Sequence, residues 1–281
     1  MAPPIPPQLT DRTALATHRA RAIAQGADLF LHEDAADEIQ QRLSEVNRRF
    51  TAPAIVTGFP DFWRGVLPGA RVVPDDDRLD LAEGAHDLVI HAMCLHWAND
   101  PVGQLVQCRR ALAPDGLFLG VMFGGQTLSE LRAALAEAEV ALTGGLSPRV
   151  LPMGEIRDLG GLLQRAGLAL PVADAAVKTV HYRGLRHLIR DLRAMGETNA
   201  LAARRPGPLP RPVLARVAEI YAESFPAPDG RIRASFETIF LTGWAPHEGQ
   251  QTPLRPGSAT HRLADALRVP KTDQTGDGSG S

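Results

Sequence analysis

The sequence predicts an α/β fold in which helices cover both faces of a doubly wound, largely parallel sheet. The strongest indication is residues 86–123, which read as a buried strand, a loop, an amphipathic helix, a Pro-Asp-Gly turn and a second buried strand. Such a strand–helix–strand unit implies a parallel pair joined by a right-handed crossover. Short strands precede this unit and helices alternate with strands after it, and 281 residues suffice to bury a sizeable core.

Hydrophobic periodicity and turn residues predict the other elements. Before the unit, they are helices from residue 12 to about 50 with Asp34 as a cap, a strand at 54–56, a helix at 59–66 and a strand at 71–73. After it, they are helices at 127–142 and 155–166, a strand at 172–182, helices at 184–195 and 213–225, and a last strand at 234–244. Thr127 and Glu130 have the spacing of a capping box, which predicts the start of the helix that contains Glu130.

The charge pattern excludes some classes of partner. Thirty basic residues stand against 32 acidic ones, for a net charge of −2, without a block of like charges. Binding to nucleic acid therefore has no electrostatic basis in this sequence. No apolar run approaches the roughly 20 residues that span a bilayer, so no integral membrane segment is expected.

Cys94 and Cys108 lie inside the strand–helix–strand unit and have no metal-ligand spacing. Reduced thiols, a cytoplasmic location and no metal site are therefore predicted, and the N-terminus lacks the order of a secretory signal. One domain is expected at residues 12–267, with N-terminal helices at 12–50 and a helical lid inserted at 184–225 before the last strand. Residues 1–11 and 268–281 are poor in apolar side chains and are expected to be disordered.

Two sets of segments resemble known families. The order strand, LHW, RRAL-x-PDG, strand resembles the fourth and fifth strands of class I S-adenosylmethionine-dependent methyltransferases, whose fold is Rossmann-like. A second set of segments resembles the bacterial relatives of the mitochondrial complex I assembly factor that hydroxylates an arginine. That family is close to the malonyl-carrier-protein methyltransferase of biotin synthesis. The segments are AADEIQQRLSEVNRRF, SPRV, RDLGGLLQRAG, RDLRAMGETNAL, RRPGPL, AEIYAE and LTGWAPH. The resemblance covers roughly residues 12–267 and implies S-adenosylmethionine as the cofactor.

The sequence departs from this family at the cofactor loop. Relatives carry an acidic residue at the end of the first strand and then a glycine-rich loop, whereas here the run is AIVTGFPDFWRG. Thr57 stands in the acidic position and Gly58 remains, but Phe59 adds bulk and Pro60 removes a donor N–H. Residues 68–73 leave no room for a second strand, a helix and a third strand. A sheet shortened by one βα unit is therefore expected.

The resemblance assigns six residues to the cofactor. Thr57 and Gly58 are the remnant of the loop, Asp75 takes the place of the acid that contacts adenine with the backbone N–H of Asp76 beside it, and His91 and Ala92 end the fourth strand. Some of these assignments have a structural alternative. Gly58 also suits an ordinary strand-to-helix turn, the acidic run at 75–77 suits a solvated loop, and His91 suits a polar strand end.

The catalytic residue is not identified by the sequence, but three residues are candidates. Histidine is a residue type suited to acid–base chemistry, and His96 lies after the fourth strand, although the LHW segment also suits a structural role with Trp97 packed under the loop. Glu197 and Asn199 belong to the family segment RDLRAMGETNAL and are candidates on the substrate side. Their alternative is helix termination and capping.

Two functional hypotheses remain open at this stage. The first is a methyltransferase that aligns an unknown acceptor with the cofactor, which requires proximity more than a strong base. The second is a catalytically inactive methyltransferase-like assembly factor or chaperone for respiratory complex I, with a subunit of the NADH dehydrogenase as protein partner, or a factor like the protein arginine hydroxylase. Phe59, Pro60 and the missing unit favour the second hypothesis, whereas the intact Asp75 region and the intact fourth and fifth strands favour the first.

Overall fold

The computed structural model describes residues 8–205 and 207–250, and the described chain as far as His247 belongs to one compact unit. The helices within these residues are α1 (Arg12–Ala24), α2 (Phe30–Glu45), α3 (Pro60–Val66), α4 (Pro101–Ala111), α5 (Ser129–Thr143), α6 (Ile156–Arg165), α7 (Leu185–Ala194) and α8 (Arg211–Ser224). The strands are β1 (Pro53–Thr57), β2 (Arg71–Val73), β3 (His86–Ala92), β4 (Leu112–Phe123), β5 (Ala169–Tyr182), β6 (Pro226–Ala227) and β7 (Arg231–Trp244). The predicted order of helices and strands is confirmed.

The strands form one mixed sheet in the order β2-β1-β3-β4-β7-β5, with β6 paired to β7. The pairs among β2, β1, β3 and β4 are parallel, and β7 runs antiparallel to both β4 and β5. Leu88 faces Leu117 and His91 faces Gly120 in the central parallel pair. The crossover predicted from residues 86–123 is therefore present, and the sheet ends in an antiparallel edge.

The predicted shortening of the sheet is also present. Between β1 and β3 the described chain contains one helix, α3, and one three-residue strand, β2, which pairs beside β1. The resemblance calls for two strands and a further helix in this interval. The loss of that unit leaves the edge of the sheet beside β1 short.

Both faces of the sheet are covered, which explains the continuous apolar character of the central strands. Ile55, Leu88 and Ile90 pack on the face that carries α2, α5 and the two lid helices, α7 and α8. Val56 and Val89 pack on the opposite face against α4 and α6. The polar ends of the strands lie between these two layers, and the site is built there.

The N-terminal boundary of the ordered chain differs from the prediction. Residues 8–11 were expected to be disordered, but Thr10 is fully buried and forms a β-bridge with Leu201. The Asp11 carboxylate caps α1 by accepting a hydrogen bond of 2.9 Å from the backbone N–H of Ala14. These tertiary partners offset the low apolar content. Residues 1–7 and 251–281, which include most of the termini predicted to be disordered, lie outside the described part of the chain.

Two predicted helix starts are wrong because tertiary partners take the capping side chains. The Thr127 hydroxyl exchanges hydrogen bonds of 3.0 Å with the backbone of Glu237 in β7, and the Glu130 carboxylate accepts one of 2.6 Å from the Ser235 hydroxyl. No capping box therefore forms, and α5 begins after Leu128. Asp34 lies inside α2, where it pairs with Lys178 of β5 instead of capping the helix.

Candidate functional site

The carboxyl ends of β1 and β3 lie side by side, with Thr57 opposite Ala92 in the parallel register. We call the space outside these ends the strand-end cleft; α1 contributes Arg19 to it, and the lid turn (residues 195–199) contributes Gly196. In open parallel sheets, ligands bind in this position.

The loop after β1 is a packed turn. The Thr57 hydroxyl is buried and accepts a hydrogen bond of 3.2 Å from the backbone N–H of Phe59, which closes the turn. Phe59 is also buried, with its ring centroid 5.0 Å from that of His32 in α2. Pro60 follows as the first residue of α3. The loop therefore holds its own side chains where relatives present an open backbone.

Arg19 covers Gly58. A Cβ atom at Gly58 would overlap the Arg19 guanidinium, so the two residues are in close contact. The Arg19 Nη1 donates to Asp75 Oδ1 over 2.7 Å, and the Arg12 Nη1 donates to Asp75 Oδ2 over 3.3 Å. Burial raises the pKa of Asp75, but the two arginines outweigh burial and leave that pKa below its ordinary value. Asp75 is therefore an ionised carboxylate whose two oxygens are already bound.

The other residues assigned to the cofactor also have partners or are buried in the core. Asp76 presents its backbone carbonyl to Gln104 Nε2 at 2.7 Å, and Ala92 is fully buried in the core. His91 turns toward α4, where its Nε2 lies 3.3 Å from Gln104 Oε1 and its Nδ1 lies 3.4 Å from Cys94 Sγ. Burial lowers the pKa of His91 to about 4. The fold brings Thr57, Gly58, Asp75 and Ala92 to one cleft, but it turns His91 away.

His96 and Glu197, both predicted as catalytic candidates, meet in the structure. The backbone N–H of Phe123 donates to His96 Nδ1 over 3.5 Å, so the proton on the ring is assigned to Nε2, which lies 3.4 Å from Glu197 Oε2. The indole N–H of Trp97 donates to the same Oε2 over 2.9 Å. Burial raises the pKa of Glu197, but His96 and Arg19 outweigh it and hold that pKa below its ordinary value. A charged carboxylate is therefore held under the lid.

Asn199 has a structural part in this arrangement. Its side-chain amide donates to the carbonyl of Pro148 over 2.9 Å and accepts from the backbone N–H of Leu201 over 3.1 Å. These bonds tie the end of the lid turn to the segment before α6. They match the structural alternative given for this residue.

A pocket of about 180 Å³ lies beside the cleft and under α7; we call it the lid pocket. Its walls are largely apolar and include Phe123, Leu131, Leu192 and Phe236, whereas Glu197 supplies a carboxylate. No donor among the described residues bonds Glu197 Oε1, because both hydrogen bonds to this carboxylate reach Oε2. The pocket therefore suits a side chain with an apolar stem and a positively charged end.

Two arginines also line the lid pocket. The Arg149 guanidinium is held by the Glu139 carboxylate at 2.6 and 2.9 Å, so its charge is compensated. Arg193 is largely exposed to solvent, where water screens its charge. Glu197 is thus the buried acidic residue among those that line the lid pocket.

Sequence reasoning missed Arg12 and Arg19. The available signal was the periodicity of α1, in which Leu15, Arg19 and Ala22 share the buried stripe. A charged residue within an apolar stripe indicates a buried partner. The partner, Asp75, is 56 residues away in sequence and cannot be found from α1 alone. Among residues 8–205 and 207–250, no group of three or more His, Cys, Asp or Glu side chains is arranged to hold a metal ion.

Comparison with known proteins places this fold in a class. Residues 32–120 match the family model described as a methyltransferase domain. Together with the parallel sheet, its antiparallel edge and the strand-end cleft, this match and the relatives described below support the class I S-adenosylmethionine-dependent methyltransferase superfamily for this chain. S-adenosylmethionine is the cofactor that this membership supports.

Within the superfamily, the chain is 38% identical over 205 residues to the mitochondrial arginine-hydroxylase NDUFAF5 of Danio rerio, covering 73% of this chain and 64% of the relative. It is 40% identical to the human protein of the same name, covering 72% and 59%. It is 34% identical to the malonyl-[acyl-carrier protein] O-methyltransferase of Laribacter hongkongensis, covering 67% and 61%. The chain thus spans less than two thirds of the length of these relatives.

Solved structures that resemble this chain do so at low sequence identity. The YcgJ protein of Bacillus subtilis is 11% identical to this chain, with a TM-score of 0.46. The match covers 74% of this chain and 97% of that protein. Among the described residues, no helix has both the length and the apolar character needed to cross a bilayer.

The cleft residues of this chain do not fit S-adenosylmethionine in the arrangement described. The guanidinium of Arg19 lies against Gly58, where the backbone of relatives approaches the ligand. Both oxygens of Asp75, assigned to adenine by the resemblance, are bound by arginines. The cleft is therefore filled by side chains of the protein itself.

Proposed function

We propose that this chain is a methyltransferase-like assembly factor that holds a protein partner by an arginine side chain in the lid pocket. The observation that carries the proposal is the ionised Glu197 carboxylate among the apolar walls of that pocket. A guanidinium on a three-carbon stem matches both features, because its stem packs on apolar groups and its N–H groups donate to a carboxylate.

The position of the pocket supports a substrate or partner site. Among the residues that line the pocket, Glu197 belongs to the lid turn and Phe123 ends β4, so the pocket is shared between the lid and the sheet. The relatives that are named arginine-hydroxylases support arginine as the side chain. The family resemblance suggests a subunit of the respiratory NADH dehydrogenase as the protein that presents it.

Binding of acetyl-arginine-amide, measured by calorimetry, tests the pocket. We expect saturable binding, no binding of the neutral isostere acetyl-citrulline-amide, and a loss of tenfold or more in affinity for Glu197→Gln, since a charged hydrogen bond contributes about 1.5–3 kcal/mol. Glu223→Gln, an exposed change on α8, is the matched control. Equal binding of the two ligands, or an unchanged affinity for Glu197→Gln, would contradict the proposal.

The protein partner is tested separately. Cross-linking in the native host, followed by affinity purification of this chain, is expected to recover a subunit of the NADH dehydrogenase, and Glu197→Gln is expected to reduce the yield. Recovery that does not depend on Glu197 would place the contact elsewhere on the molecule.

Methyl transfer to an unknown acceptor is the second candidate function. Membership of the superfamily favours it, as does the likeness to malonyl-[acyl-carrier protein] O-methyltransferases. The contacts of Arg19 with Gly58 and Asp75 weigh against it. Stabilisation of the wild-type protein by S-adenosylmethionine and by S-adenosylhomocysteine in thermal unfolding would favour this candidate over the first.

The cytoplasm is the location we propose. Both Cys94 and Cys108 are free and buried, and burial raises the pKa of each thiol, so neither is a reactive thiolate. Unpaired, unreactive thiols accord with a reducing compartment. Relatives with mitochondrial names make fractionation of the native host the appropriate measurement.

A further inference from the structure

The Arg19 side chain lies in a slot between two glycines. Its guanidinium covers Gly58 at the end of β1, and a Cβ atom at Gly196 in the lid turn would lie 3.1 Å from its Cγ. Gly196 has a φ of +73°, which favours glycine, so this turn is built for close approach. Phe59 borders the same place, with its Cζ 3.0 Å from that Cβ position.

The slot is closed at its end by Asp75. The side chains of Arg19 and Asp75 are only 8% and 7% exposed, and their ion pair is 2.7 Å long. A buried guanidinium without a partner is costly, so this carboxylate makes the position of Arg19 possible. Among the residues that the structure describes, the Arg19 Nε has no hydrogen-bond partner, so the slot does not satisfy every donor of this side chain.

Helix α1 is fixed at its N-terminal end. The backbone N–H of Thr10 donates to Asn99 Oδ1 over 2.8 Å, and the backbone N–H of Asp11 donates to the carbonyl of Ala200 over 2.8 Å. The Asp11 carboxylate also pairs with Arg204 at 2.8 Å. These contacts join α1 to the loop after β3 and to the chain after the lid turn. Arg19 is therefore delivered to the slot by a fixed element.

We propose that Arg19 is a built-in replacement for the cofactor: it fills the strand-end cleft and positions the Gly196–Glu197 turn, so that the lid pocket is formed without S-adenosylmethionine. This proposal deepens the proposed function, because the pocket that Arg19 positions is the one assigned to the partner. Arg19 is a positioning residue in this account. It shapes the turn that carries Glu197 and does not enter the lid pocket.

Chemical rescue tests the proposal. Arg19→Ala leaves a guanidinium-sized space beside Asp75, so we expect a lower melting temperature that low-millimolar guanidinium chloride raises again. The wild type and Arg19→Met, which fills the slot without charge, are expected to show no rise. Sodium chloride at equal concentration controls for ionic strength, and Arg186→Ala on the exposed face of α7 controls for the loss of an arginine elsewhere.

The Glu197→Gln background separates the two sites. Guanidinium also resembles the ligand proposed for the lid pocket, so rescue of Arg19→Ala must persist when Glu197 is replaced by Gln. Rescue that is lost with Glu197, or absent in both backgrounds while Arg19→Ala remains folded by circular dichroism, would overturn the proposal. If Arg19→Ala does not fold, Arg19→Lys is used instead. We expect the lid pocket of Arg19→Lys to bind acetyl-arginine-amide more weakly than that of the wild type. An unchanged affinity would contradict the proposal.

A cofactor titration completes the test. We expect S-adenosylmethionine and S-adenosylhomocysteine to leave the melting temperature of the wild type unchanged. A saturable rise in the wild type would show that Arg19 yields its place, and this inference would fail. The proposed function fails on a different result, which is the absence of acetyl-arginine-amide binding to the wild type. The two failures are therefore distinguishable.

Discussion

At the scale of the residue, buried polar groups define this site more than exposed ones. Asp75 and Glu197 are both ionised under cover of neighbouring side chains, and both depend on partners far away in the sequence. His32 is also buried, and its Nδ1 accepts a hydrogen bond of 3.1 Å from the Trp63 indole N–H. These groups couple the stability of the fold to pH.

The buried histidines predict a loss of stability in mild acid. Burial lowers the pKa of His32 to about 3 and that of His91 to about 4, below the ordinary value of 6.5. Below that ordinary value the unfolded chain binds protons that the folded chain excludes, so stability is complete above pH 6.5 and falls as the pH drops. We expect a slope of up to about 1.4 kcal/mol per pH unit for each histidine.

Urea unfolding between pH 7.5 and about 4.5 measures this slope. The range ends at about pH 4.5 because carboxylates with lowered pKa values titrate at lower pH and would add to the slope there. His32→Gln is expected to flatten the dependence even if it is less stable at neutral pH. His181→Gln, an exposed change on β5, is expected to keep the slope of the wild type. Parallel curves for the wild type and His32→Gln would contradict the assignment.

At the scale of the element, a helix start can depend on a strand instead of on local capping. The N-terminus of α5 is the clearest case, since Glu130 accepts hydrogen bonds from the Ser235 backbone N–H at 3.1 Å and from the Ser235 hydroxyl at 2.6 Å. Thr127 joins the same strand through Glu237. The start of α5 is therefore set by β7.

Glu130→Ala tests this dependence. Helix propensity alone predicts no loss, since alanine is the better helix former, but the change leaves partly buried donors of Ser235 without their acceptor. We expect the free energy of unfolding to fall by about 1–3 kcal/mol in urea. Glu137→Ala, on an exposed turn of the same helix, is expected to stay within about 0.5 kcal/mol of the wild type. Equal stability of the two variants would indicate that α5 is capped locally.

At the scale of the whole molecule, α1 is an integral part of the fold. Leu15 on its buried stripe packs with Trp97, Leu151 and Leu201, which belong to the loop after β3, the segment before α6 and the chain after the lid turn. Arg19 reaches the strand ends from the same stripe. The first helix therefore links the sheet to the lid, and its loss would affect both.

Leu15→Ala is expected to destabilise the molecule by about 2–5 kcal/mol, the usual range for a cavity at a fully buried leucine. Since α1 joins the sheet to the lid, we expect one cooperative transition with an unchanged dependence on urea. Ile23→Ala on the exposed side of α1 serves as the control. A separate early transition for Leu15→Ala would mean that α1 unfolds by itself.

Much of the architecture was available from the sequence. Residues 86–123 predicted the central parallel pair and its helix, because strand and helix periods differ and both were unbroken. The short interval at residues 68–73 predicted the missing βα unit, since chain length limits what can be built there. The pairing of His96 with Glu197 was not predicted, although each was named, because the contact joins residues 101 positions apart.

The sequence by itself determined the order of the elements, the shortened sheet and the altered loop after β1, since all of these depend on local periodicity, length and residue type. Only the tertiary structure decided what fills the strand-end cleft. Arg19, Asp75 and Gly196 come from three separate segments, and a buried charge is stable only where the fold brings its partner within hydrogen-bond distance.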